Sequence, residues 1–160
     1  GLGDDPVEAL RLGAAFHDIG KIGIPDRILQ KPAALSPAEK EVVNRHSEIG
    51  YRLLNSFPFL AEAAQTVRAH HERFDGMGYP LGLAGAAIPL ASRVVAVADT
   101  FDALRFSRFY HDASPLESTV REIQANASQQ FDPQVVEVFS TCYRDLDAIF
   151  SHMPAAELLS

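Results

Sequence analysis

Apolar and polar positions along this chain recur with the 3.6-residue period of helices and almost nowhere with the two-residue period of strands. Helix starts are marked as clearly as helix faces. Asp5-Pro6-Val7-Glu8, Ser36-Pro37-Ala38-Glu39 and Ser114-Pro115-Leu116-Glu117 each set a capping side chain before proline and a glutamate. In that order the cap and the glutamate can satisfy free backbone donors reciprocally. Asp132-Pro133 opens another helix without the glutamate, and Pro58 and Pro89 read as first-turn prolines. "RVVAVA" is rich in β-branched residues, but it follows Pro89 and runs on to Phe101 and Leu104, which favours a buried helix. The pattern predicts helices over about 5–18, 36–55, 58–71, 89–105, 114–127 and 132–150, with a short turn near 25–30. One long irregular stretch, 72–88, carries Gly76, Gly78, Gly82 and Gly85. Loops of that length are commonly functional or disordered, and the aromatic and apolar content here argues against disorder. The expectation is an all-α fold, a compact helical bundle forming one domain over 1–160 with a single long Gly-rich loop.

Several polar residues fall where the helical period calls for apolar ones. Val7, Leu10 and Ala14 predict an apolar stripe whose next member is His17. His46 shares a stripe with Val42, Ile49 and Leu53, and Leu60, Ala64 and Val67 lead to His71, with His70 beside it. Asp99 follows "RVVAVA", where a carboxylate is costly unless paired or bound to a cation. Taken singly, each has a plainer reading. His46 could be a hydrogen-bonded core histidine, Asp99 could cap a helix or pair with Arg93, and His17-Asp18 could close a helix end. Vicinal His70-His71 resists such a reading, because adjacent residues lie about 100° apart on a helix and cannot share one packing niche. Three imidazole stations and two carboxylates aimed inward together favour a metal centre. His111 and His152 carry no such signal, and Cys142 reads as a small core residue.

Composition narrows the chemistry. With one cysteine among 160 residues, an internal disulfide is excluded and any metal must sit among nitrogen and oxygen ligands. A formal charge of −7 argues against a nucleic-acid polymer as partner. No apolar run is long enough to insert in a membrane and no signal peptide is evident, so a cytoplasmic location is expected.

"AAFHDIGKIGIPDRIL", "HHERFDGMGYPLGLAG" and "VADTFDAL" resemble the HD-GYP domain, a branch of the HD phosphohydrolase superfamily. The likeness runs from about residue 9 to about residue 137 and includes "FDPQVVEVF". HDIGK points to the superfamily, and HHE-x-x-DG-x-GYP to this branch. The resemblance implies a bacterial metal-dependent phosphodiesterase that hydrolyses cyclic di-GMP to pGpG and GMP through a metal-bound hydroxide. It implies two divalent ions, iron or manganese before nickel or zinc, held by His17, Asp18, His46, His70, His71 and Asp99, with Asp18 as the bridge. Lys21 and Asp18 would be catalytic, Lys21 touching the scissile phosphate. Lys21, Asp102, Arg108 and Tyr79 would face the substrate or its water, although Tyr79-Pro80 reads equally well as an ordinary turn. Such ions, with Lys21 and Arg108, would draw an anion into an acidic protein.

The likeness also has departures. Family members carry an upstream helix with a further glutamate and histidine, and this chain begins at "GLGDDP", past it. "ALRFSRFYHD" stands for the family's "ALTS-x-RPY-[KR]", keeping Arg108 but placing Arg105, Phe106, Phe109 and His111 at altered positions. A second reading is therefore a non-catalytic module that binds cyclic di-GMP or docks a partner such as a diguanylate cyclase (GGDEF) domain. In both readings an upstream sensory or receiver domain would supply the input.

Overall fold

Proline and the residue before it set most of the helix starts in the computed structural model, which describes residues 5–105 and 114–151. The described backbone is all-α, with no strand beyond one isolated bridge between Ala127 and Phe131. Among the described residues no helix is long and apolar enough to cross a membrane. The chain divides into two compact units, up to Ala96 and from Val97 onward.

The first unit contains α1 (Pro6–Phe16), a 3-10 turn (Ile19–Gly23), α2 (Asp26–Leu29), α3 (Pro37–Asn44), α4 (His46–Asn55), a 3-10 turn (Pro58–Leu60) and α5 (Ala61–Ala69). It also holds the start of α6 (Leu90–Arg105) up to Ala96. Helix α5 is central, packing on α1 and on α4, and it buries Ala63, Ala64, Thr66, Val67 and Ala69 on more than one side. Leu54, Leu60, Ala64 and Val67 form the core cluster, with Leu12, Phe16 and Tyr51 against it. Each buried leucine or valine side chain of this kind contributes about 1.5–3 kcal/mol. Across the α4–α5 contact, Arg68 donates to Glu48 (2.8 Å) and lies 4.4 Å above the Tyr51 ring.

In the second unit α7 (Leu116–Ala125) packs against α8 (Pro133–Ser151). Val120, Ile123, Phe131, Val136 and Phe139 are buried, and Phe101 meets Phe139 edge-on at 5.3 Å. Asp132 caps α8 by accepting from the Gln134 amide. Arg105 donates to Asp147 at 2.6 Å. Cys142, expected in the core, is half-buried, its thiol directed to the Val138 and Phe139 carbonyls.

Three expectations change in detail. Of the three capping boxes, only that of Ser36 and Glu39 closes in both directions. Asp5 caps α1, but Glu8 turns to Arg11 instead, and Ser114 gives its amide to the Leu104 carbonyl, so Glu117 cannot bond back to it. The predicted stripe on α1 is rotated: Val7 is 72% exposed and Ala14 is exposed, whereas Ala9 and Gly13 are buried. Small residues form the contact face because α1 and α5 approach closely, and apolar size alone misreads such a face. Finally, the expected helix over 36–55 breaks at Arg45, where the His46 ring takes up the Val43 carbonyl.

One glycine sets the geometry of the site. A Cβ on Gly20 would overlap the His46 carbonyl oxygen and stand 2.5 Å from the Gly50 amide nitrogen. Both obstacles are backbone, so neither can swing aside. The 3-10 turn after Asp18 is thereby pressed onto the first turn of α4. Gly20→Ala is expected to destabilise the protein by about 3 kcal/mol, the upper end of ordinary overpacking, read as a lower midpoint in urea unfolding with an unchanged slope.

Candidate metal centre

Three histidines each stand just past the end of a helix, His46 being also the first residue of α4. His17 follows the last residue of α1, His46 follows the break after α3, and His70 follows the last residue of α5. The final carbonyls of a helix lack intrahelical partners. In each case the histidine Nδ1 lies 2.7 Å from the carbonyl three residues back, that of Ala14, Val43 and Val67. A carbonyl can only accept, so Nδ1 must carry the hydrogen and in the neutral ring Nε2 keeps its lone pair. One bond thus closes a helix end, fixes the tautomer and aims a ligand atom.

These atoms converge. The Nε2 atoms of His46 and His70 face each other at 3.3 Å, and His46, His70 and His71 offer ligand atoms all within 4.8 Å of one another. Asp18 reaches two rings, Oδ1 lying 3.5 Å from His46 Nε2 and Oδ2 lying 3.5 Å from His17 Nε2. Lys21 donates to Asp18 Oδ2 at 2.5 Å. His71 is held differently. Among the described residues no hydrogen bond reaches its ring, which stacks on Tyr79 at 4.9 Å and lies 4.0 Å from the His70 ring.

Burial decides the protonation states. His46 and His70 are each 1% exposed. Desolvation pushes His70 down to about 3 and His71 to about 4, and it also lowers His46; neighbouring imidazoles add to the shift. Burial by itself would raise the Asp18 carboxyl, but the hydrogen bond from Lys21 and its charge outweigh it, and the net shift is downward. The result is a set of acceptors facing one another with no proton between them. Two lone pairs at 3.3 Å are tolerable only around a cation, and that separation fits two nitrogens each about 2.0–2.1 Å from one ion. The donor set therefore fits a divalent metal. Its shape is one-sided, with His46 and His70 sealed behind and Asp18 and Lys21 at a partly open mouth.

The structure brings His17, Asp18, Lys21, His46, His70, His71 and Tyr79 together in the first unit. Asp99 and Asp102 are half-buried on the part of α6 that belongs to the second unit. Arg108 lies outside the described residues. Glu72, passed over in the sequence, proves to be buried beneath the loop after the histidine pair. A carboxylate directly following two ligand-type residues was the available signal.

A family profile described as an HD domain matches residues 1–135. The chain belongs to the HD-domain family. The HD-GYP resemblance carried by the motifs is borne out among its curated relatives. A cyclic di-GMP phosphodiesterase of Thermotoga maritima is 42% identical over 94% of this chain and 41% of its own length. The cyclic di-GMP phosphodiesterase response regulator RpfG of Xanthomonas campestris is 40% identical over 98% of this chain and 42% of its own. This HD-domain chain thus spans about two-fifths of the length of those relatives. A crystal structure of a Vibrio cholerae cyclic GMP-AMP specific phosphodiesterase superposes with a TM-score of 0.60 over 93% of this chain and 44% of that one, at 21% identity, sharing the fold.

A stability consequence follows from the buried rings. Below about 6.5 the unfolded chain protonates His70 and His71, whereas the fold keeps them neutral down to about 3 and about 4. The unfolded state then binds more protons, so stability is whole above about 6.5 and is lost as pH falls through that window. For metal-free protein the urea midpoint is expected to drop steadily from about pH 7 to about pH 5, and His70→Phe should flatten that slope.

Proposed function

We propose that this chain is the catalytic module of a metal-dependent phosphodiesterase that hydrolyses cyclic di-GMP. The observation that carries the reading is the pair of proton-free Nε2 atoms of His46 and His70 at 3.3 Å, flanked by Asp18 and opened to solvent on the Lys21 side. The names of relatives at 40–42% identity supply the substrate class. His17, Asp18, His46, His70, His71 and Asp99 are assigned as ligands to two divalent ions, iron or manganese before nickel or zinc. Bound divalent ions lower the pKa of water and neutralise phosphoryl oxygens, which a phosphodiester's own charge otherwise protects from attack.

The chain's residues do the rest. The buried histidines stay neutral and rigid, so the ligand geometry does not reorganise as charge builds on the phosphate. Asp18, with one oxygen toward His17 and the other toward His46, would hold the ions as their shared carboxylate. Lys21 neutralises Asp18 at rest and stands at the mouth, where its ammonium can shift to a phosphate oxygen. Asp102 and Arg108 are assigned to the substrate, and Tyr79 to the pocket wall. In a parent protein this module would answer an upstream sensory or receiver domain, as the name of one relative, a response regulator, suggests. It would act in the cytoplasm and could dock a diguanylate cyclase domain.

The test combines elemental analysis of purified protein with turnover of cyclic di-GMP under iron(II) or manganese(II), and 3′3′-cyclic GMP-AMP as a comparison substrate. Asp18→Ala and His70→Ala are expected to lose metal and at least about a thousandfold in kcat, the scale of several kcal/mol of charge stabilisation. Lys21→Ala should retain the metal and lose roughly a hundredfold. Tight cyclic di-GMP binding by fully loaded wild-type protein without turnover would instead make this a binding module.

A further inference from the structure

We propose that Glu72 is a positioning residue for the metal centre, pinning the Gly78-Tyr79-Pro80 turn so that the Tyr79 ring backs the His71 imidazole. The inference rests on the metal-dependent reading above. His17, His46 and His70 are each oriented by a backbone carbonyl, whereas among the described residues no hydrogen bond orients the His71 ring, and Tyr79 supplies a stacked face at 4.9 Å and 30°. The orientation of this fourth imidazole is thus delegated to a loop.

That loop is tied down at Glu72, which is 3% exposed. One carboxylate oxygen accepts the Leu81 amide at 2.6 Å and the other accepts the Leu83 amide at 3.0 Å. Ionised carboxylates accept such bonds more strongly than neutral groups, and only a carboxylate presents two acceptors to two inward-pointing amides. Between the anchors the chain doubles back over its own start. The Tyr79 amide donates to the His71 carbonyl at 3.3 Å. Gly78 passes so near that a Cβ there would stand 2.5 Å from Glu72 Cα. Asp75 holds the outer limb by accepting from the Met77 amide and from Arg73. Loss of the Glu72 clamp loosens the far limb behind Tyr79, while the hydrogen bond from the Tyr79 amide to the His71 carbonyl and every ligand atom remain.

The experiment measures manganese(II) affinity of the metal-free full chain by competition with a fluorescent chelator, alongside the ¹⁵N spectrum of the histidine rings. Glu72→Gln keeps the shape but sets an NH₂ group against one loop amide. It is expected to weaken manganese(II) roughly tenfold, as outer-shell partners do. Tyr79→Ala should do the same, and Tyr79→Phe, which keeps the ring face, should lose clearly less than Tyr79→Ala. The double variant Glu72→Gln/Tyr79→Ala should be no weaker than the worse single variant, since both act through one path. The His71 ring signals should change in Glu72→Gln while those of His17 and His46 stay. Unchanged affinity in folded Glu72→Gln, or losses that multiply in the double variant, would overturn the proposal. Should Glu72→Gln fail to fold, Tyr79→Ala against Tyr79→Phe decides, and equal affinity overturns it. Wild-type protein that binds no manganese(II) would instead bring down the metal-dependent reading itself, and this inference with it.

Discussion

The hydrogen bond from a histidine Nδ1 to a carbonyl in the last turn of the helix just before it is the constraint on which the site depends. It is a local interaction, three residues long, made in the same way at His17, His46 and His70. It removes the proton from contention at the opposite nitrogen and stops the ring from turning. What remains non-local is only that three helix ends meet, and that is the work of the α1–α5 and α4–α5 contacts. Ligand orientation and fold are therefore set by the same bonds, so a change that frays one of these helix ends also turns a ring.

Burial and charge then divide the labour. The imidazoles tolerate burial because they are neutral, and burial keeps them neutral. Asp18 could not sit equally deep without a cation, and the chain gives it Lys21 at the rim. An acidic protein with a formal charge of −7 can in this way present a locally cationic mouth once ions are held, without a basic surface.

Much of this was legible in sequence, for reasons that differ by element. Helix starts at Pro6, Pro37 and Pro133 were clear because proline at the first turn leaves no other reading. The inward placement of His46 was clear because the 3.6-residue period survives the break at Arg45. The stripe through Leu60, Ala64 and Val67 pointed instead to His71, and it is His70 beside it that is the more deeply buried. The face of α1 was misread because close approach of two helices selects Ala9 and Gly13, which a search for large apolar residues ranks last. The capping boxes at Asp5 and Ser114 were overcounted because a local motif cannot reveal that Arg11 or the Leu104 carbonyl competes for its members. Glu72 was passed over for the same reason in reverse: its partners, Leu81 and Leu83, lie beyond a loop with no periodicity to place them.

The loop itself shows why a Gly-rich stretch can be a rigid part. Gly78 allows the backbone to pass within contact of the Glu72 main chain, and a buried carboxylate converts that proximity into fixed geometry. A longer side chain at Gly78 would hold the turn away from His71, and a neutral one at position 72 would leave an inward amide without an acceptor. Flexibility in composition and order in structure are compatible here because a two-pronged acceptor sits at the root of the loop, one residue after His71.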